Sequence, residues 1–110
     1  MKIAQEKRED VTIFLPEEDV NITTSPELRK AFDGVMGQGV KKILIDFSKV
    51  PYIDSSGLAT LVELLQRLRK VDGKLKICSL SSRIVNVFEI TKLHKLFDIV
   101  EDKETALKSF

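Results

Sequence analysis

The apolar run Ile43-Leu44-Ile45, followed by Asp46 and Phe47, constrains the fold more than any other feature of this 110-residue chain. A strand with one face in solvent would alternate apolar and polar residues, and this run does not alternate. Continuous apolar residues over this length are typical of a strand buried on both faces. We therefore predict that this segment is a central strand of a sheet.

Signals for strands and helices alternate on both sides of this run. Ser25-Pro26 is a typical helix start, because Ser25 can accept a hydrogen bond from a free backbone N–H and Pro26 needs no donor in the first turn. Apolar residues at helical spacing follow it, and Gly37 and Gly39 end that helix. The other predicted strands are Lys2–Arg8, Val11–Leu15, Leu75–Cys78 and Phe97–Val100, and the other predicted helices are Ser56–Val71, Ser82–Ile90 and Asp102–Phe110.

The resulting order β-β-α-β-α-β-α-β-α predicts an α/β fold with a mixed, mainly parallel sheet that opens with a β-hairpin. The length suits one hydrophobic core, so residues 1–110 are predicted to form a single domain. Ligand and partner sites of such sheets lie where the strand-to-helix loops converge. Here those loops are Pro16–Thr24, Ser48–Ser55 and Ser79–Ser81.

Charge and cysteine content argue against several classes of function. The 18 basic and 17 acidic residues leave a formal net charge of +1, which gives no general attraction to nucleic acid or to anionic lipid. No segment has the apolar length of a membrane span or of a secretory signal, so we expect a cytoplasmic protein without a membrane partner. Cys78 is the single cysteine and is expected to be buried, and no Cys/His cluster has the spacing of a metal site.

The most specific motif is Asp54-Ser55-Ser56-Gly57, which leads from the central strand into the second helix. Asp54 or Ser55 can cap the helix, which places Ser56 in its first turn. Gly57 is expected to leave the approach to Ser56 open, so that another protein's backbone can come close. The alternative is that the motif is only a helix cap followed by a small packing residue.

The motif and its setting resemble the STAS domain of bacterial anti-sigma factor antagonists. The resemblance rests on Ile53-Asp54-Ser55-Ser56-Gly57-Leu58 after Ile43–Phe47, with Leu75–Cys78 following the helix. It implies helices packed mainly on one face of the sheet. It also implies that an anti-sigma factor with serine kinase activity phosphorylates Ser56, with Ser55 as the rival acceptor, and that a serine phosphatase reverses the modification.

The resemblance further implies that the unphosphorylated form binds the anti-sigma factor and so releases the sigma factor, whereas the phosphorylated form binds poorly. The protein would then be a kinase substrate and not an enzyme, with no cofactor. Asp54 and Gly57 would form the surroundings of the phosphorylation site. The expected partner contacts are Val20, Asn21, Ile22, Ser55, Ser56 and Leu58, with Asn21 in the place where many members of the family have an acidic residue.

The residues leave two other functions open. The first is a STAS subunit that acts as a scaffold or adaptor of a signalling complex or transport system, without a phospho-switch. The second is an esterase-like enzyme, which is disfavoured because the Gly-x-Ser-x-Gly elbow is absent. Such an enzyme would need a catalytic base, and the only histidine of the chain, His94, is expected to lie exposed at a helix end.

Overall fold

The computed structural model describes all 110 residues and shows a five-stranded sheet whose strands lie side by side in chain order. The first two strands are antiparallel and all later neighbours are parallel, as predicted. The elements are β1 (Ile3–Arg8), β2 (Val11–Pro16), α1 (Ser25–Met36), β3 (Lys42–Asp46), α2 (Ser55–Arg69), β4 (Lys74–Cys78), α3 (Ser82–Ile90), β5 (Asp98–Val100) and α4 (Lys103–Lys108), with a 3-10 turn at Leu93–Lys95.

The helices α1, α2 and α3 pack on the same face of the sheet. Each connects two neighbouring parallel strands, and the chain always steps in the same direction across the sheet. Because such crossovers are right-handed, successive steps in one direction place their helices on one side. The main core therefore lies between the sheet and these three helices. The expectation of helices mainly on one face is confirmed.

Strand β3 is the middle strand, and it is buried on both faces as its apolar run predicts. Ile43 and Ile45 point into the main core, whereas Leu44 belongs to a second, smaller cluster on the opposite face. Side chains of a strand alternate between faces, so both faces of β3 must be covered. Helix α4 covers the second face by placing Ala106 in that cluster.

Cys78 lies in the second cluster and is fully buried, which confirms its predicted packing role. Burial raises the pKa of its thiol to about 11. The thiolate form is therefore scarce near neutral pH, and the sulfur behaves as a small apolar group.

The predicted start of the first helix is wrong in one detail. Thr24 is the N-cap residue, and Ser25 is the first helical residue with a buried side chain. The acceptor for this corner is Asn21, whose Oδ1 accepts hydrogen bonds from the backbone nitrogens of Thr23 at 2.9 Å and of Thr24 at 3.0 Å. The free N–H groups of the first turn are paired by backbone oxygens: the Ser25 nitrogen donates to the Asn21 oxygen at 2.7 Å, and the Glu27 nitrogen donates to the Thr24 oxygen at 3.0 Å. No side chain therefore caps α1.

None of the four α-helices combines the length and the apolar composition needed to cross a bilayer.

Candidate functional site

The loops after β2 and β3 meet at the carboxyl ends of these strands and are joined by backbone hydrogen bonds. The Val20 nitrogen donates to the Tyr52 oxygen at 3.0 Å, and the Asp54 nitrogen donates to the Val20 oxygen at 3.1 Å. Val20 and Ile53 form an isolated parallel bridge between the loops. The Asp54-Ser55-Ser56 motif is therefore held in a fixed position against the loop that precedes α1.

Asp54 is the N-cap of α2, and its carboxylate also joins the two loops. Oδ1 accepts from the Gly57 nitrogen at 2.9 Å, and Oδ2 accepts from the Ile22 nitrogen at 3.3 Å. The cap geometry is the usual one, with an extended backbone at Asp54 and the bond made to the third helical residue. Of the two predicted capping residues, the structure selects Asp54.

Ser55 and Ser56 are the first two residues of α2, so Ser56 lies in the first turn as predicted. Ser55 is exposed and Ser56 is half-buried. The side-chain hydrogen bonds of this corner involve Asp54, Asn21 and Thr24, and none uses the hydroxyl of Ser55 or Ser56. Both hydroxyls are therefore available to a reagent or partner from solvent.

Ser56, and not Ser55, lines a shallow depression between α1 and α2. Ile22 lies on its rim with a side chain that is 72% exposed. The complete lining is Ile22, Ser25, Pro26, Arg29, Ser56, Ala59, Thr60 and Glu63. The two serines of the motif thus differ in their surroundings, and only Ser56 faces this groove.

The expectation that Gly57 opens the approach to Ser56 is wrong. Gly57 is buried, and a Cβ at this position would lie 2.4 Å from the Val20 oxygen and 2.6 Å from Cγ1 of Ile53. The hydrogen atom of glycine thus faces the chain's own loop and not a partner. Glycine is needed because the carbonyl of Val20 approaches α2 too closely for any side chain.

Three of the expected partner contacts have structural roles within the chain. Val20 is fully buried and Leu58 is 7% exposed, and both belong to the main core. Asn21 is half-buried, and its side-chain oxygen is occupied by the turn before α1. Burial leaves Val20 and Leu58 almost no surface to offer a partner. The large apolar side chain exposed at this surface is that of Ile22.

The sequence reasoning missed an ion pair that crosses the depression beside Ser56. Nε of Arg29 on α1 lies 3.0 Å and 3.2 Å from the two carboxylate oxygens of Glu63 on α2. Its Nη2 donates to Oγ1 of Thr60 at 3.2 Å. A sequence signal existed within α2, since Ser56, Thr60 and Glu63 recur at i, i+4 and i+7 and so share one face. No pattern in the sequence indicated that Arg29, on α1, faces these residues across the depression.

The esterase-like arrangement has no support at this site. His94 is exposed in the 3-10 turn after α3, and its Nδ1 lies 3.3 Å from the Phe88 oxygen. It is not among the residues that line the depression with Ser56. The predicted position of His94 as an exposed residue at a helix end is confirmed.

Comparison with known proteins identifies the same architecture. A family model described as the STAS domain matches residues 2–106. The anti-sigma-B factor antagonist of Staphylococcus aureus is 34% identical over 86 residues, which cover 78% of this chain and 80% of that protein.

Solved structures agree with the family model. The crystal structure of the Thermotoga maritima protein TM1081 matches with a TM-score of 0.92 at 25% identity, covering 96% of this chain and 92% of that one. The Bacillus cell fate determinant SpoIIAA in its phosphorylated form matches with a TM-score of 0.74 at 17% identity, covering 97% of both chains.

Proposed function

This chain belongs to the STAS domain family, and on that premise we propose that it is an anti-sigma factor antagonist switched by phosphorylation of Ser56. The unphosphorylated form binds an anti-sigma factor that is also a serine kinase, and the sigma factor is thereby released. The phosphorylated form binds poorly until a serine phosphatase removes the phosphate. The protein itself is a substrate of these enzymes, and we place it in the cytoplasm with them.

The observation that carries the proposal is the position of the Ser56 hydroxyl. It lies in the first turn of α2, makes no hydrogen bond within the chain, and faces the surface depression between α1 and α2. Asp54 holds this turn and the Ile22 loop in one rigid unit. A kinase and a binding partner would therefore meet the same preformed surface.

The modification requires ATP bound by the kinase. The Ser56 oxygen forms a bond to the γ-phosphorus as the bond between that phosphorus and the β,γ-bridging oxygen breaks. The products are phosphoserine and ADP, and the hydroxyl proton passes to a base of the kinase. Asp54 does not act as this base in our proposal, because both its carboxylate oxygens accept backbone N–H bonds.

Phosphorylation would act on the interface and not on the fold. The phosphate adds a charge of about −1.5 to −2 at a surface where the partner has to pack. A pair of unit charges about 4 Å apart interacts by about 4 kcal/mol at an effective dielectric constant of about 20. Half of that energy, applied as repulsion by an acidic group of the partner, would weaken binding by more than about tenfold.

The relatives support this function at the level of their names. The Staphylococcus aureus protein is named an anti-sigma-B factor antagonist, and SpoIIAA has been solved in an unphosphorylated and in a phosphorylated form. The two forms of SpoIIAA are consistent with a phosphorylation site on this fold. The scaffold or adaptor function without a phospho-switch is the alternative that the experiment must separate.

The test is phosphorylation by the serine-kinase anti-sigma factors of the host, with ATP and Mg²⁺, followed by intact-mass analysis and mapping of the site. We expect one phosphate, located on Ser56. The Ser56→Ala variant should remain unmodified, and Ser55→Ala should be modified like the parent. A phosphate on Ser55 would contradict the assignment to Ser56 and move the switch to the rival acceptor. No phosphate with any kinase, while tight binding persists, would contradict the phospho-switch and favour the scaffold.

A further inference from the structure

We propose that the phosphate on Ser56 is bound within the same chain by Arg29, which exchanges its contact with Glu63 for the phosphate. This inference rests on the proposed phosphorylation of Ser56 and concerns what the modified side chain then does. Arg29 would hold the phosphate against the groove between α1 and α2. The negative charge of the phosphate would then be fixed inside this depression, beside Ile22.

The position of Arg29 is the first support. Among the residues that line the depression with Ser56, Arg29 is the single cation and Glu63 the single anion. Thr60 lies one helical turn after Ser56 on the same face of α2, where side chains are about 5–6 Å apart at their Cβ atoms. Nη2 of Arg29 is 3.2 Å from Oγ1 of Thr60. The guanidinium thus ends about one turn from the Ser56 side chain.

The donors of Arg29 are the second support. A guanidinium carries five N–H donors in a planar fork that suits phosphate oxygens. In this structure the donor on Nε and one donor on Nη2 are engaged, by Glu63 and Thr60. The remaining donors, including both on Nη1, have no partner within the chain. They can donate to phosphate oxygens together with the Nε donor that the exchange releases from Glu63.

The contact between Arg29 and Glu63 is also easy to exchange. The two side chains are 39% and 43% exposed, and ion pairs of that exposure contribute little to stability. A phosphate dianion carries up to twice the charge of the Glu63 carboxylate and offers three oxygens. Arg29 would therefore favour the phosphate, and Glu63 would turn towards solvent.

A variant series with phosphoserine installed at position 56 during synthesis tests this proposal without a kinase. The second ionisation of the phosphate, ordinarily near pH 6, is followed by ³¹P NMR in the folded protein. Arg29→Gln should raise the titration midpoint by about 0.5 pH unit, because it removes the cation that favours the dianion. Glu63→Gln should lower the midpoint, because it removes a competing anion and frees Arg29.

Arg67→Gln is the matched control. Arg67 also joins α2 to α1, through a 2.5 Å contact with Asp33. It lies 11 residues after Ser56, about 16 Å along the helix at 1.5 Å per residue, which exceeds the screening length of about 8–10 Å. Its replacement should leave the midpoint unchanged. Asp54, the other charged group of this corner, is kept in all variants.

Arg29→Lys is a second variant, measured in case Arg29→Gln folds poorly, and it keeps the positive charge without the planar fork. Its titration midpoint should lie above that of the parent and below that of Arg29→Gln. Equal midpoints in the parent, Arg29→Gln and Glu63→Gln would overturn the assignment, as would equal effects of Arg29→Gln and Arg67→Gln. Either result would leave the phospho-switch itself intact. Failure of every kinase to modify Ser56 would instead contradict the proposed function and leave this titration readable.

Discussion

Replacing Gly57 by alanine should destabilise the protein, although alanine is the better helix former. The added Cβ would lie 2.4 Å from the backbone oxygen of Val20 and 2.6 Å from Cγ1 of Ile53. Separations below 3.0 Å force a displacement, and the Val20 oxygen is backbone that Asp54 and Tyr52 hold in place. The loop before α1 must therefore move away from α2.

The expected size of the effect follows from two opposing contributions. Overpacking of this kind costs about 1–3 kcal/mol, and a clash with backbone belongs at the upper end of that range. Alanine recovers about 1 kcal/mol through its helix propensity. The net loss in the free energy of unfolding is then about 2 kcal/mol, or a decrease in Tm of about 10 °C for a chain of this size.

Gly34→Ala is the matched control for this measurement. Gly34 lies inside α1, is exposed, and a Cβ built on it meets no atom within 4 Å. This substitution should stabilise the protein by about 0.5–1 kcal/mol. Urea unfolding of the parent and both variants measures the two effects together. If Gly57→Ala proved as stable as Gly34→Ala, the close approach of Val20 to α2 would be refuted.

Three further outcomes are expected. Asp54→Ala should lower the free energy of unfolding by about 1–2 kcal/mol, because the cap of α2 and the bond to the Ile22 nitrogen are both lost, while Ser55→Ala should change it little in urea unfolding. The Thr105 N–H holds the pKa of Asp102 below its usual value, so the ionised carboxylate stabilises the fold, and this contribution is lost as the pH falls through the folded-state pKa. In acid, the free energy of unfolding should therefore fall less steeply in Asp102→Asn than in the parent below about pH 4. The Cys78 thiol, with its pKa raised by burial, should resist iodoacetamide at pH 8 in the native state and react fully in urea, and rapid native labelling would contradict its burial.

The sheet could be predicted from the sequence because its signals are local. The apolar run at Ile43–Ile45 identified the central strand, and the alternation of strands with helices identified parallel crossovers. Helix ends were less certain. The start of α1 has no side-chain cap, because the backbone oxygens of Asn21 and Thr24 pair its first N–H groups, and this pairing depends on the path of the loop before the helix.

The functional corner could be predicted only in part. Asp54 and Ser56 were found because their roles follow from their positions next to a helix start. The inward orientation of Gly57 and the burial of Val20 depend on how close two loops approach, which is a tertiary property. The contact between Arg29 and Glu63 joins two helices across 34 residues of sequence, and no pattern within either helix specifies it.

The most direct test of the central claim is the affinity of the protein for the proposed kinase anti-sigma factor, measured by calorimetry with ADP in place of ATP so that no phosphate is transferred during the measurement. We predict that phosphorylation of Ser56 raises Kd more than about tenfold, whereas Ser56→Ala keeps the Kd of the unmodified protein. Equal affinities of the phosphorylated and unphosphorylated forms would contradict the switch and return Asp54-Ser55-Ser56 to the role of a helix cap.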